Sequence, residues 1–340
     1  MDEKERRCYL ASFDGVPGAE RNPANYQRRD DGSHIYTEGD YYEWWYVDCS
    51  FDNGYHAVIT FHFRNHFLDP IIPTTQVMIY GPDGAQTARF AAWKPRETFA
   101  CPDWCDVRMG DGRLRDLGGG RYDLELVIDG AGARLTLENV VPGWKLGSGF
   151  NYKNEETGKV AGWVVPVPYA RAEGELYLDG VAIPVKGAAY HDHNWGNMRL
   201  HEICSSWYWG RVHHGDYCVD YGWVLPRDPE APVVSPLMVA RGGEIVLSTN
   251  IMRTRLDDFA TDPKTMKPYA RRLVVSTDNL GVKMELTIET TRLVESMRLP
   301  KAAAWDQFYF RFLGDYVLDI QIDGERDLVR GEMLHEYMVL

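Results

Sequence analysis

The 340-residue chain contains no long apolar run. Nothing in it approaches the ~20 consecutive apolar residues that a membrane-spanning helix needs. The opening Met1-Asp2-Glu3-Lys4-Glu5-Arg6-Arg7 is charged, with no apolar segment behind it. A signal peptide is therefore not expected, and the sequence reads as a cytoplasmic protein with no stable membrane insertion. Cysteine is sparse. Cys8, Cys49, Cys101, Cys105, Cys204 and Cys218 form no Cys-x-x-Cys or zinc-ribbon pattern, so they read as reduced thiols that mostly fill the core. Basic residues are outnumbered, 37 Lys and Arg against 50 Asp and Glu, which gives a net charge of −13. That balance argues against nucleic acid or an anionic membrane as a partner. Also missing are the Gly-x-Ser-x-Gly elbow, a phosphate-binding Gly-Lys-Ser/Thr and a dinucleotide fingerprint, and no cofactor is expected. Helical periodicity is nearly absent, and only Trp305–Phe312 is ambiguous between strand and helix.

Aromatics and turn formers are plentiful. Eleven Trp, 20 Tyr and 12 Phe stand beside 32 Gly and 18 Pro, a composition that favours β structure with tight turns. Glu43–Phe51 and Tyr55–Phe63 flank Asp52-Asn53-Gly54 and predict a hairpin. Further strands are expected at Gln76–Tyr80, Gly112–Leu117, Arg121–Ile128, Arg134–Asn139 and Glu173–Leu178, several of them ending at Asp-Gly turns. An internal repeat underlies this pattern. Asp179-Gly180-x4-Val185-Lys186-Gly187-x3-His191-Asp192 returns as Asp323-Gly324-x4-Val329-Arg330-Gly331-x3-His335-Glu336, at a constant offset of 144 (335 − 191). Trp45-Tyr46 with Tyr55 echoes Trp207-Tyr208 with Tyr217, 10 residues from Trp to Tyr in both (55 − 45, 217 − 207). Duplication of one β unit follows, and the fold class is all-β, two tandem up-and-down barrels. The expected limits are an N-terminal arm over 1–35, a first barrel over 36–190 and a second over 200–340. The motif run around Asp192 would then lie at the junction. Barrels of about eight strands can hold one small apolar ligand.

The run Lys186–Gly196 packs Tyr190, His191, Asp192, His193, Asn194 and Trp195 between apolar strand-like segments. If it is extended, His191 and His193 share one face, and Tyr190, Asp192 and Asn194 share the other. A carboxyl flanked by a phenol and an amide has the composition of a tuned acid or base. With Gly187 before it and Trp207-Tyr208-Trp209-Gly210 after it, this run resembles the signature of the carotenoid 1,2-hydratase (hydroxyneurosporene synthase) family. That family's relatives are the tandem lipocalin-like proteins of the bacterial attachment-protein type. Glu43-Trp44-Trp45-Tyr46 also resembles the family's first strand, and the resemblance extends from about 38 to 340. It implies two lipocalin-like domains and, for an acidic residue of the motif, the role of acid. Members of this kind include hydratases and cyclases of isoprenoid ends and pericyclases of natural-product pathways.

Asp192 is thus the expected proton donor to carbon, against the alternative that it accepts backbone hydrogen bonds and pins the domain junction. Glu336 holds the equivalent position in the repeat, which keeps the architectural reading open. His191 and His193 complete the catalytic candidates, one expected to orient Asp192 and the other to fill the junction. Glu43 is the last candidate, as a second acid/base or as an ion-pair partner of Arg199 or Arg211. His-x-His on one face is a chelating spacing, but Gly196 and Asn197 stand where a following carboxylate ligand belongs. No metal is assigned, although His213, His214 or Glu202 could complete a site after folding. Trp44, Tyr46, Tyr190, Asn194, Trp195, Trp207, Trp209 and Tyr221 are the expected substrate contacts, with rings that stabilise a carbocation or simply pack the barrels. The function expected is acid-catalysed hydration or cyclisation of a hydrophobic polyene or isoprenoid. Two alternatives stand beside it, a pericyclase and a non-catalytic carrier of a hydrophobic ligand.

Overall fold

A computed structural model describes residues 1–36, 40–299 and 306–340. The chain folds into two units, one of Asn25–Lys145 with Lys159–Arg199, the other of Met1–Ala24, Leu146–Gly158 and Leu200–Leu340. We call them the motif unit and the second unit. Strand dominates both, as the turn-punctuated sequence requires. Among the described residues no helix is long and apolar enough to cross a membrane.

The sheet of the motif unit is antiparallel, and its first strands are joined by short hairpins. In spatial order it runs Gln86–Ala92, Ile72–Tyr80, His56–Asn65, Tyr42–Phe51, Val181–Gly196, Lys159–Leu178, Ala131–Val141, Arg121–Ile128, Gly112–Gly118, Asp106–Met109 and Thr98–Ala100. The sheet curls until Ile72–Tyr80 and Gln86–Ala92 approach Arg121–Ile128 and Ala131–Val141 across the interior. This half-barrel encloses a core of alternate residues, among them Trp45, Val47, Cys49, Ile59, Phe61, Leu124, Leu135, Val167 and Ala189.

The second unit repeats this order. Its ten-stranded sheet runs Ala19–Glu20, Glu244–Thr249, Leu237–Arg241, Tyr217–Pro226, Cys204–His214, Glu325–Val339, Phe308–Ile322, Val282–Arg298, Pro268–Asn279 and Arg253–Thr261. In both sheets the last strand of the unit lies beside the first strand of its opening hairpin, Val181–Gly196 beside Tyr42–Phe51 and Glu325–Val339 beside Cys204–His214. Each last strand is launched by the repeated Asp-Gly turn. Asp179 and Gly180 have φ of 49° and 79°, and Asp323 and Gly324 have 50° and 95°. Positive φ at both centres is the turn whose twist matches antiparallel strands. The region left ambiguous in the sequence is strand from Phe308 onward, and Trp305 lies outside the described residues.

The second echo in the sequence is out of register with the first. Asp192 pairs with Tyr46, whereas Glu336 pairs with Trp209, so the opening strands differ by one residue in phase. A one-residue shift inverts which side chains face inward. Trp45 therefore belongs to its unit's core, and in the second unit Tyr208 rather than Trp207 does.

Trp45 is fully buried and stacks on the His193 ring. Trp45→Ala is expected to destabilise the protein by about 3–5 kcal/mol. Leu328→Ala, at a side chain 57% exposed, should stay within about 0.5 kcal/mol of wild type. Urea denaturation of both variants measures the two values.

Candidate functional site

Val181–Gly196 is the central strand of the motif unit, paired on one side with Tyr42–Phe51 and on the other with Lys159–Leu178. A strand sends successive side chains to opposite faces, and here the polar run delivers a different polar group set to each. His191 and His193 point into the core, and Tyr190, Asp192 and Asn194 occupy the other face, as the alternation predicts.

On that outer face Asp192 is 7% exposed and accepts three side-chain hydrogen bonds. Asn194 Nδ2 donates to Oδ1 at 2.8 Å. Tyr190 Oη and Trp163 Nε1 donate to Oδ2 at 2.9 and 3.1 Å. Tyr190 is fully buried, and Trp163 meets Trp144 edge-to-face with centroids 5.5 Å apart. Three side chains hold the carboxyl. Donors on both oxygens are the arrangement that stabilises negative charge there. Trp163 carries no motif signal. It reaches Asp192 because it lies on the neighbouring strand opposite Asn194.

Tyr46 stands directly across from Asp192, but its hydroxyl donates to Asp48 Oδ2 at 3.3 Å. Trp44 sits beside Tyr42, His62, His66 and Phe67 in an aromatic group on this strand pair. Burial alone holds the His62 imidazole down at about 3, so its ring is neutral.

The inner face carries a buried ionic network. His191 Nδ1 donates to the Tyr46 carbonyl at 2.8 Å, and its Nε2 lies 3.2 Å from Asp31 Oδ2. Tyr122 Oη donates to the same Asp31 oxygen at 3.0 Å. His193 Nε2 lies 3.1 Å from Glu43 Oε1, and its Nδ1 lies 3.6 Å from Asp31 Oδ1. The His34 amide donates to Glu43 Oε1 at 2.6 Å, and the Tyr41 hydroxyl donates to Oε2. Asp31, Glu43, His191 and His193 are all fully buried. Burial raises the Glu43 carboxyl, but hydrogen bonds from His193, His34 and Tyr41 outweigh it and hold the group at about 2. Burial lowers His191, yet the Asp31 charge and hydrogen bond overcome it and the net shift is upward. For His193 burial wins over Glu43, and the shift is downward.

The expected site residues are thus distributed by face and by unit. Asp192 keeps Tyr190 and Asn194, and His191, His193 and Glu43 gather with Trp195 on the inner face, where Trp195 stacks on His34. Neither histidine bonds Asp192, contrary to the expected orienting role, because strand alternation turns both rings inward. Glu43 pairs with His34 and His193 rather than with Arg199 or Arg211, and Arg199 pairs with Asp40. In the second unit Trp207 donates to Glu336 Oε1 at 3.0 Å and Trp209 to Asp220 Oδ1 at 3.1 Å, and Tyr221 is buried in the core. The largest omission of the sequence reading is Asp31, from a segment read as a polar arm. A short 3-10 helix, Arg28–Asp31, carries it inside.

Residues 140–292 match the model of a family described as Diels-Alderase-like. A hydroxyneurosporene dehydrogenase of Chlorobaculum tepidum is 36% identical over 56 residues, 15% of this chain and 15% of that protein. The match therefore spans a small fraction of that relative's length. Among solved structures, an AttH-type protein of Nitrosomonas europaea aligns with a TM-score of 0.67 at 19% identity, over 93% of this chain and 96% of that one. Kievitone hydratase of Nectria haematococca aligns with a TM-score of 0.62 at 14% identity, over 94% of each chain. CghA aligns with a TM-score of 0.67 at 13% identity, over 95% of this chain and 98% of that one. At these identities the structural likeness concerns the fold, the tandem lipocalin-like architecture. The matches agree with the family resemblance carried by the motif residues.

If Trp163 anchors Asp192 as the distances indicate, Trp163→Phe and Asp192→Asn should be coupled. A double-mutant cycle in urea denaturation should return a coupling of about 1–3 kcal/mol. Additivity within about 0.3 kcal/mol would mean that the indole bond contributes nothing.

Proposed function

We propose that this chain is a lipocalin-like enzyme of the hydratase or cyclase kind. Its substrate would be a hydrophobic polyene- or isoprenoid-type small molecule, and Asp192 would protonate a substrate carbon. The observation that carries this reading is the nearly buried Asp192 carboxyl with three side-chain donors arranged on its two oxygens. The Diels-Alderase-like match and the fold shared with a protein named kievitone hydratase support the class of chemistry.

Protonating an isolated alkene is hard because the proton must leave an acid for carbon. The cost falls when the conjugate base is stabilised in advance. Asp192 begins as the neutral acid. Its proton forms a C–H bond as the π bond breaks, leaving a carbocation on the adjacent carbon and a carboxylate on Asp192. Asn194 then stabilises Oδ1, and Tyr190 and Trp163 stabilise Oδ2, through donors already in place before the charge develops. A ring of Tyr46, Trp44, Tyr190 or Trp163 that met the cation face-on would stabilise it by about 0.5–2 kcal/mol. Water capture of the cation gives an alcohol and returns a proton to Asp192. Capture by an internal alkene, followed by proton loss to the same carboxylate, gives a ring. Both routes leave the enzyme unchanged. His191, His193 and Glu43, on the inner face, act on this chemistry only by fixing the strand that carries Asp192.

A second reading is favoured by the Diels-Alderase-like match over residues 140–292, which include the whole motif. In it the substrate is folded into a reactive pose and no proton moves to carbon. Asp192 then serves as the acceptor that orients the Asn194 amide, whose second N–H meets a substrate carbonyl, and Tyr190 could bond a carbonyl only by turning its O–H away from Asp192. In a third reading the protein only carries its ligand.

Asp192→Asn separates the three. Under acid catalysis it lowers turnover by about 10²–10⁴-fold, while the protein stays folded and ligand uptake stays near wild type. Retained turnover in Asp192→Asn selects the pericyclase. A hydrophobic ligand recovered unchanged by mass spectrometry after long incubation with wild-type protein selects the carrier. Collapse of the fold in Asp192→Asn would return this carboxyl to a structural role.

A further inference from the structure

The inner face of the motif unit presents a charge problem that the proposed chemistry does not use. Asp31 and Glu43 are fully buried, and among the described residues every ion-pair partner of either is a histidine. His191 is already engaged on both ring nitrogens, Nδ1 by the Tyr46 carbonyl and Nε2 by Asp31. Glu43 is left to His34 and His193.

His193 stands between the two carboxylates, with Nε2 toward Glu43 and Nδ1 toward Asp31. With the proton on Nε2 toward Glu43, the Nδ1 lone pair confronts Asp31 Oδ1 at 3.6 Å. Nδ1 and Asp31 Oδ1 are both buried without a hydrogen-bond partner. With the proton on Nδ1, the Nε2 lone pair confronts Glu43 Oε1 at 3.1 Å. A buried lone pair against a buried carboxylate is repulsive, and such groups are normally satisfied. The His34 Nδ1 is also buried without a hydrogen-bond partner, 3.5 Å from the same Glu43 oxygen.

We propose that His34, Glu43 and His193 bind one divalent cation of the zinc class, through His34 Nδ1, Glu43 Oε1 and His193 Nε2. The ligand atoms lie within 4.8 Å of one another, with His34–Glu43 and His193–Glu43 separations of 3.5 and 3.1 Å. Ligands about 2.0–2.1 Å from a tetrahedral ion stand roughly 3.3–3.4 Å apart. Two imidazoles and a carboxylate are a donor set that zinc accepts, with a fourth position left open. The partly exposed His34, whose side chain keeps 26% of its accessible surface, gives that position a route to solvent.

A cation there would also fix the His193 tautomer. With Nε2 bound to the metal, the His193 proton moves to Nδ1 and points at Asp31 Oδ1, completing the carboxylate–histidine–metal relay that orients many zinc ligands. Tyr41, donating to Glu43 Oε2, plays the equivalent part for the carboxylate. Both imidazoles are already oriented by rings, His34 on Trp195 (3.8 Å between centroids, 4° between planes) and His193 on Trp45 (4.2 Å, 15°). The neighbouring trio Asp31, Cys105 and His191 is the weaker candidate, because both His191 nitrogens already have hydrogen-bond partners. The site would tie the segment that carries His34 to the strands that carry Glu43 and His193.

The test uses the full chain, stripped with a chelator, dialysed, and then equilibrated with Zn²⁺ or Co²⁺. One equivalent per chain by elemental mass spectrometry is expected, with visible cobalt ligand-field bands and a higher melting temperature in the loaded protein. His34→Ala, at the rim of the network, should lose stoichiometric uptake, the cobalt bands and the metal-dependent rise in melting temperature while keeping the far-ultraviolet circular dichroism of wild type. If that variant does not fold, His34→Asn, which retains a polar side chain, replaces it. Absent or substoichiometric uptake by folded wild type, or equal uptake by the folded His34 variant, overturns the proposal.

Discussion

A polar group removed from water must find a partner inside the protein, and the strand Val181–Gly196 places five such groups in succession where water is largely excluded. That requirement organises the motif unit. Inward, His191 and His193 are met by Asp31 and Glu43, which arrive from a short 3-10 helix and from the adjacent strand. Outward, Asp192 is met by the groups on either side of it along the strand and by an indole from the next strand. Each of these contacts holds only in one register. A slip of one residue would put two imidazoles on the outer face and a carboxylate in the apolar core, a change costly enough to exclude the alternative pairing.

The two units show what duplication preserved and what it did not. Apart from the edge strands Ala19–Glu20, Asp106–Met109 and Thr98–Ala100, strand order is the same in both, and the acids at the equivalent position, Asp192 and Glu336, each accept one indole N–H and one phenol O–H. The residues supplying those donors differ. Asp192 takes its indole from Trp163 and its phenol from its own strand, whereas Glu336 takes them from Trp207 and Tyr309 on the two flanking strands. The third contact also separates the pair. Asn194 gives Asp192 a neutral amide, and Glu336 lies 3.6 Å from the buried Arg311 guanidinium, which is also 3.7 Å from Glu295. Losing either partner of a buried ion pair leaves the other uncompensated. The amide, phenol and indole that meet Asp192 are all neutral donors.

Much of this fold is legible in the residues because its signals are local. Asn53-Gly54, Asp129-Gly130, Asp179-Gly180 and Asp323-Gly324 mark hairpin turns by chemistry that acts within four residues, and alternation within Tyr190–Asn194 assigns faces without knowledge of any partner. What stays hidden depends on long-range pairing. Asp31 is 160 positions from His191 and sits among Arg28, Arg29 and Asp30, a composition that reads as solvated. Trp163 is one of several aromatics in an apolar run, and only its position opposite Asn194 brings its indole to Asp192. The phase difference between Trp45 and Trp207 is likewise invisible in a motif match, since identical residue pairs look the same whether they point in or out.

The two faces of the central strand are coupled through covalent geometry. Asp192 lies between His191 and His193, and both neighbours are tied inward to groups that are themselves held, His191 to Asp31 and the Tyr46 carbonyl, His193 to Glu43. Its backbone is therefore fixed from the interior, and its carboxyl is fixed from the exterior by three donors. A reacting group must be held to within about 0.5 Å, and sites on strands backed by a locked set of supporting contacts meet that demand better than sites on loops. The buried carboxylates are costly to fold, because neither can be solvated and each needs a histidine or a cation beside it. They lie directly behind Asp192, and under the proposed chemistry that cost would be offset by an acid held more firmly than a softer apolar interior could hold it.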